Sequence, residues 1–207
     1  MTRTLVIETA TAACSVALIA DGRVVASIHE VVGRGHAERL VPMIAELPEG
    51  GRADAVLVDC GPGSFTGIRV GIAAARGLGL GWNAPVYGFS SLPLIAASAF
   101  AGDPTLDRVA IVLEGGHGEV FMQPFAADPF AHTAEFASLA PADAMARLDG
   151  ALAVGNGVRF LDVGGREALP DAAAVILLPA VLASLAPRPI YGRAPDAKPM
   201  AAPKVVA

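Results

Sequence analysis

Seven consecutive residues, Gly61-Pro62-Gly63-Ser64-Phe65-Thr66-Gly67, restrict the fold of this chain more than any other stretch. An apolar run, Ala55-Val56-Leu57-Val58, precedes them and reads as a buried strand. Asp59 and Cys60 carry the chain off that strand. Gly61, Pro62 and Gly63 are unsuited to the interior of a strand or helix, so they mark a tight turn. Ser64 and Thr66 are both suited to cap the helix predicted over 66–81. A strand, a glycine turn and a helix start together suit an anion, because free backbone N–H groups point outward there. The lysine of a Walker-type phosphate loop is missing, so the stretch reads equally well as a structural turn without a ligand.

The predicted helix carries a second pattern. Gly67, Gly71, Ala75 and Gly79 recur every four residues and share one ridge. Glycine inside a helix costs about 1 kcal/mol relative to alanine, so a close contact should offset it. That contact is with either the chain's own sheet or a partner subunit. Arg69 and Arg76 are the helix's only charges and, seven residues apart, lie on the same side, which leaves the other faces apolar or small. Such a helix predicts association. A helix over 36–47 carries the stripe Leu40, Ile44 and Leu47, with Val41 and Met43 at its margins. The expected partner surface comprises His36, Arg39, Leu40 and Met43 from this helix, and Arg69, Gly71, Ala74, Ala75 and Leu78 from the other. Paired with their counterparts, the two helices would make a small bundle, and the chain alone would form a two-fold homodimer.

Of the 207 residues, 54% are hydrophobic and only 5% aromatic, so a large core must be built from Ala, Val, Leu and Ile. The formal net charge is −5, and the only lysines, Lys198 and Lys204, lie in the tail. The chain is therefore not expected to be a main nucleic-acid-binding surface itself. Cys14 and Cys60 sit in or beside apolar runs and read as buried thiols of a reducing cytosol. The N-terminus enters a strand without a signal-peptide layout, and the longest apolar run, 70–82, is too short and too interrupted to span a bilayer. The expectation is a cytoplasmic protein without membrane contact.

Strands are predicted over 4–8, 14–20 and 23–31, the last two joined by the hairpin pair Asp21-Gly22. A strand over 85–88 and a helix over 91–100, capped by Ser90-Ser91, follow. The second half opens with strands over 109–114 and 119–125 around the turn 115–118. Loop and edge structure over 128–140, a helix over 141–148 and strands over 151–154 and 175–178 come next. A short helix over 180–185 leads to an extended tail. Each half opens with a strand, a turn and a strand carrying a carboxylate, which suggests a duplicated α/β lobe. The expected division is 1–102 and 103–207, with Glu8, Asp59 and Glu114 able to converge in the cleft between.

The opening Thr4-Leu5-Val6-Ile7-Glu8-Thr9-Ala10-Thr11, with Cys14-Ser15-Val16-Ala17-Leu18, resembles the first strands of the sugar-kinase, Hsp70 and actin superfamily. The segment His36-Ala37-Glu38-Arg39-Leu40-Val41-Pro42-Met43-Ile44, the block 61–71 and Ala197-Lys198-Pro199 narrow the resemblance to the bacterial TsaB/YeaZ family of tRNA threonylcarbamoyladenosine biosynthesis. The resemblance implies an α/β, actin-like or Hsp70-like ATPase (ASKHA) fold with two lobes of mixed sheet and helices. It implies a non-catalytic scaffold that dimerises with the catalytic paralogue TsaD. The ATPase subunit TsaE would join through that heterodimer, and tRNA would be met only through the complex. ATP and metal are expected in the partners and no cofactor in this chain.

The His-x-x-x-His metal pair of the catalytic paralogue, carried onto this sequence, lands on Ser91 and Ile95, which cannot replace it. His29, His36, His117 and His132 are scattered without metal-ligand spacing. Two departures from the family pattern make a nucleotide or metal site less expected still: Glu8 stands where an Asp is usual, and Glu114-Gly115-Gly116-His117 where an Asp and an Arg are. The alternative is a stand-alone nucleotide-dependent transferase or metallopeptidase-like enzyme of the same fold, supported by Glu8 and the glycine turn. It lacks a metal pair, a phosphate lysine and a base–nucleophile pair.

Overall fold

The computed structural model describes residues 2–192; Ala197-Lys198-Pro199, Lys204 and the other tail residues from 193 on lie outside them. Strands β1 (Arg3–Glu8), β2 (Ala13–Ala20) and β3 (Arg23–Val31) form an antiparallel meander. Asp21 and Gly22 both take positive φ, 47° and 75°, as a two-residue hairpin favours. Helix α1 (His36–Glu46) leads to β4 (Ala55–Asp59), which pairs with β1 in parallel. Helix α2 (Phe65–Trp82) then leads to β5 (Val86–Phe89), parallel to β4. The sheet order is β3-β2-β1-β4-β5.

Helix α3 (Ser91–Gly102) crosses to the second half. There β6 (Arg108–Gly116) and β7 (Glu119–Ala126) form an antiparallel hairpin. The short β8 (Ala131–His132) and β9 (Ala137–Leu139) pair with the outer edge of β7. After helix α4 (Pro141–Ala146), β10 (Leu152–Val154) joins β6 in parallel, and β11 (Gly165–Arg166) joins β10. The order β7-β6-β10-β11 repeats β2-β1-β4-β5, with the same pair orientations. The duplicated lobe predicted from the carboxylate-bearing strands is thus a repeat of topology.

The layers follow from side-chain alternation. Leu5 and Ile7 of β1 and Val56 and Val58 of β4 face α1 and α2. Val6 and Leu57 face the other way, against Leu94 and Ala97 of α3. The opposite side of α3, with Leu92, Ile95 and Ala99, meets Val109, Ile111 and Leu113 of β6. Helix α3 is therefore covered by a sheet on both sides, which accounts for its lack of a polar face.

Two sequence expectations are corrected. Residues 175–178 are not a strand but belong to a 3-10 turn, Ala172–Leu177. Its start is held by Asp171, whose carboxylate accepts from Ala173 N–H, and Ala172 and Val175 fill the first sheet's face beside Phe89. Ser90 is the N-cap residue of α3 but makes no side-chain cap hydrogen bond, and Ser91 does not cap it either; its hydroxyl turns inward to Asp59. Residues 171–190 pack on the first lobe, although they follow the second in sequence. Leu185 exchanges backbone hydrogen bonds with Gly88, and Ile190 N–H donates to Cys60 C=O at 2.7 Å.

The two-sided burial of α3 sets the expected stability pattern. Leu92→Ala should cost about 2–5 kcal/mol in denaturant unfolding. Leu80→Ala, on the outer face of α2, should change stability by no more than about 0.5 kcal/mol.

Candidate functional site

The glycine turn is shaped by backbone lying on backbone. Gly61 takes φ 94°. Gly63 sits against the carbonyl of Ala10 and Gly67 against that of Thr9, so a Cβ at either position would fall inside those groups. Gly63 does not share the positive φ; it is close approach that demands glycine there. Ser64 N–H donates to Ala10 C=O at 2.6 Å, and Thr9 Oγ1 donates to Gly67 C=O at 2.8 Å. Ser64 is the N-cap of α2, its Oγ accepting from Gly67 N–H, while Thr66 lies within the first turn. Two of the amides that could have met an anion are thus used by the chain itself.

Behind the turn stand two carboxyls. Glu8 and Asp59 end adjacent parallel strands, one step past the pair Ile7 and Val58, and both are fully buried. Asp59 accepts from Gly61 N–H and from Ser91 Oγ–H, each at 2.7 Å. Glu8 Oε1 accepts from Ala10 N–H at 2.6 Å, and its Oε2 has no hydrogen-bond partner. Burial pushes Asp59 up to about 7, against the pull of the Gly61 and Ser91 hydrogen bonds. Burial and then the nearby Asp59 push Glu8 well above the carboxylate range. Burial also pushes the Cys14 thiol up to about 11 and that of Cys60 to about 12, so both free thiols are poor nucleophiles at neutral pH.

A cleft of about 740 Å³ opens between the lobes, lined among others by Ala10, Gly63, Phe65, Arg69, Glu114 and Tyr191. Of the three carboxylates expected to converge there, only Glu114 lines it, and it is paired with Arg159. The Arg69 guanidinium lies 3.6 Å from the Phe65 ring centroid and donates from Nε to Tyr191 Oη at 3.1 Å. Asn156, also in the lining, accepts from Glu114 N–H and is flanked by Gly155 and Gly157. This turn follows β10 as the 61–63 turn follows β4, a counterpart signalled in the sequence by its paired glycines. The residues where a metal pair would stand do not fit a metal: Ser91 donates to Asp59, and Ile95 is buried among apolar side chains. Among the described residues, no group of three or more His, Cys, Asp or Glu could hold a metal ion.

The predicted partner surface divides. Leu40, Met43 and Ala75 are buried in the core under the sheet, Gly71 packs between Thr9, Ile7 and Val58, and His36 bonds Ala13 C=O through Nε2. These five are corrected: the stripe of α1 and the small-residue ridge of α2 serve the chain's own sheet. Arg39 is tied to Glu30 and Glu46, and Arg69 belongs to the cleft rim. Ala74 and Leu78 remain partly exposed. Arg76 donates to Pro187 C=O, so the charged side of α2 is followed by the returning chain. The outward apolar residues are instead Val41 on α1, 63% exposed, and Leu80 on α2, 87% exposed, with Ala45, Ala73 and Gly77.

Comparison with known proteins agrees with this architecture. The model of the family "TsaD: tRNA N6-adenosine threonylcarbamoyltransferase" matches residues 23–156. The structure of YeaZ from Pseudomonas aeruginosa superposes with a TM-score of 0.77 at 30% identity, covering 92% of this chain and all of that one. The chain belongs to the TsaB/YeaZ family. It therefore has the actin-like α/β fold. The tRNA threonylcarbamoyladenosine biosynthesis protein TsaB of Escherichia coli is 40% identical over 131 residues, 61% of this chain and 56% of that protein. Its Haemophilus influenzae namesake is 44% identical over 101 residues, 46% of this chain and 42% of that protein. The chain thus spans about half the length of these curated relatives.

The turn geometry yields a graded expectation. Gly63→Ala should lower thermal stability more than Ser64→Ala, which removes only a cap and should cost about 1 kcal/mol. Thermal unfolding of both variants checks the order.

Proposed function

We propose that this chain is a non-catalytic scaffold in the formation of threonylcarbamoyladenosine in tRNA, acting as a partner of a TsaD-type catalytic paralogue. The observation that carries the reading is at the start of α3. The positions of the paralogue's histidine pair hold Ser91, engaged with Asp59, and Ile95, enclosed in the core. Family membership and the TsaB names of its relatives support the same process. The stand-alone enzyme reading draws less support, because Glu8 and Asp59 are buried away from the cleft and not presented to a substrate.

The partner surface in this reading is the outer face of α1 and α2, around Val41 and Leu80. Both are large apolar side chains left largely exposed by the described residues. The same face would make a homodimer in the partner's absence. The ATPase subunit TsaE and tRNA engage the heterodimer rather than this chain alone. ATP and metal belong to the partners, and the cytoplasm is the proposed compartment. No helix among the described residues is long and apolar enough to cross a membrane.

Two measurements test this. In bacterial cells depleted of their own TsaB, expression of this chain together with its cognate TsaD should restore threonylcarbamoyladenosine, measured by nucleoside mass spectrometry. Unrestored levels, despite soluble expression of both, overturn the reading. Val41→Glu combined with Leu80→Arg should leave the melting temperature nearly unchanged yet weaken co-purification with the paralogue at least about tenfold, the loss expected when central apolar contacts are replaced by charge. Wild-type affinity would place the interface elsewhere.

A further inference from the structure

The buried carboxyls at the ends of β1 and β4 lie outside both the cleft lining and the proposed partner face. We propose that Glu8 and Asp59 form a proton-dependent latch: while the pair retains a proton, residues 9–12 and the glycine turn stay locked together, and its loss loosens both.

The hydrogen bonds define what the latch holds. Glu8 Oε1 fixes Ala10 N–H, and the carbonyl of Ala10 in turn receives Ser64 N–H and packs against Gly63. Asp59 fixes Gly61 at the other end of the turn and Ser91 at the start of α3. Each carboxyl thus anchors one of the two backbone segments that lie on each other. Glu8 Oε2 is a fully buried oxygen without a partner, a position far better tolerated by a neutral carboxyl than by a carboxylate.

Among the described residues, no cation offsets the pair. The charged groups acting on Glu8 are Asp59, its neighbour on β4, and Asp171 ahead of the 3-10 turn, both acidic. Asp171 accepts from Ser15 Oγ–H, and Ser15 is the β2 residue opposite Glu8. On β3, His29 Nδ1 stands 3.9 Å from the far oxygen of Asp171. Helix α3 contributes the hydroxyl and the backbone N–H of Ser91, both toward Asp59 and neither a cation. Two negative charges in adjacent buried positions repel strongly at low dielectric, and separating the loops they anchor is the direct relief.

The sign of the pH dependence follows. Both carboxyls are raised in the folded chain, so unfolding releases protons between their ordinary values near 4 and their folded values. The stabilisation is full below about pH 4 and is lost as pH rises through about 7 for Asp59, Glu8 being raised in the same direction. Glu30 and Glu49 are lowered by Arg39 and Arg3, and Asp103 by Thr105 and Arg166. These three act oppositely, withdrawing stability only on acidification, so the optimum falls on the acid side of neutrality.

Thermal unfolding of the full chain from pH 5.5 to 8.5 should show the melting temperature falling by roughly 5 °C. Glu8→Gln should at least halve the fall, and Glu8→Gln with Asp59→Asn should abolish it. His29→Gln should leave it intact, which separates the latch from imidazole titration. An infrared carbonyl band of a protonated carboxyl should persist in the wild type at pH 7. The amide resonances of Ala10, Gly61 and Ser64 should shift with the midpoint of its loss. A flat wild-type profile, a full slope in the double variant, or no protonated band at pH 7 would each overturn the proposal. The last needs no variant and decides the matter if the substitutions prevent folding.

Discussion

Helix α3 has no polar side to give to water, and that constraint organises the molecule. Leu94 and Ala97 must be covered by the first sheet and Leu92, Ile95 and Ala99 by the second. A single sheet would leave half of this helix exposed. The two lobes are therefore not beads on a linker but two faces of one buried element, and their relative placement follows from packing. The cleft lies where the loops at the ends of β1, β4 and β6 approach each other beyond this shared helix.

Within the first lobe, the glycine turn shows how far conformation alone can account for a motif's spacing. Its spacing of small residues matches the demand that two backbones touch at Gly63 and Gly67. Ser64 N–H and Gly67 N–H are occupied by Ala10 and by the Ser64 hydroxyl. The carboxyls behind it are turned to the same structural task, holding loop ends in place rather than facing the cleft.

Local chemistry was legible where it alone decides the outcome. Asp21-Gly22 announces its hairpin, and the apolar runs at 55–58 and 109–114 announce central strands. Long-range choices were not legible. The ridge Gly67, Gly71, Ala75 and Gly79 states that something comes close to α2, but periodicity does not name the neighbour, which proved to be β1, β4 and the approach to β5. The run Val175-Ile176-Leu177-Leu178 has the composition of a strand, yet no strand edge is offered to it; it fills a sheet face from a 3-10 turn. Arg69 and Arg76 stand out in the sequence as the only charges of α2, but their partners, Tyr191 and Pro187, lie 122 and 111 residues later. No window of sequence around α2 contains that information.

The returning segment has a temporal implication. The first sheet's face toward α3 includes Ala172, Val175 and Leu178, and the edge strand β5 is bridged by Leu185. During synthesis on a ribosome, the amino-terminal lobe emerges long before the residues that complete it. Until they appear, Phe89 and Val6 share an unfinished surface and β5 has an open edge. The nascent chain must carry that exposed apolar face through the making of the entire second lobe. Closure of the molecule is therefore a late event, with the last described residues sealing the first structure formed.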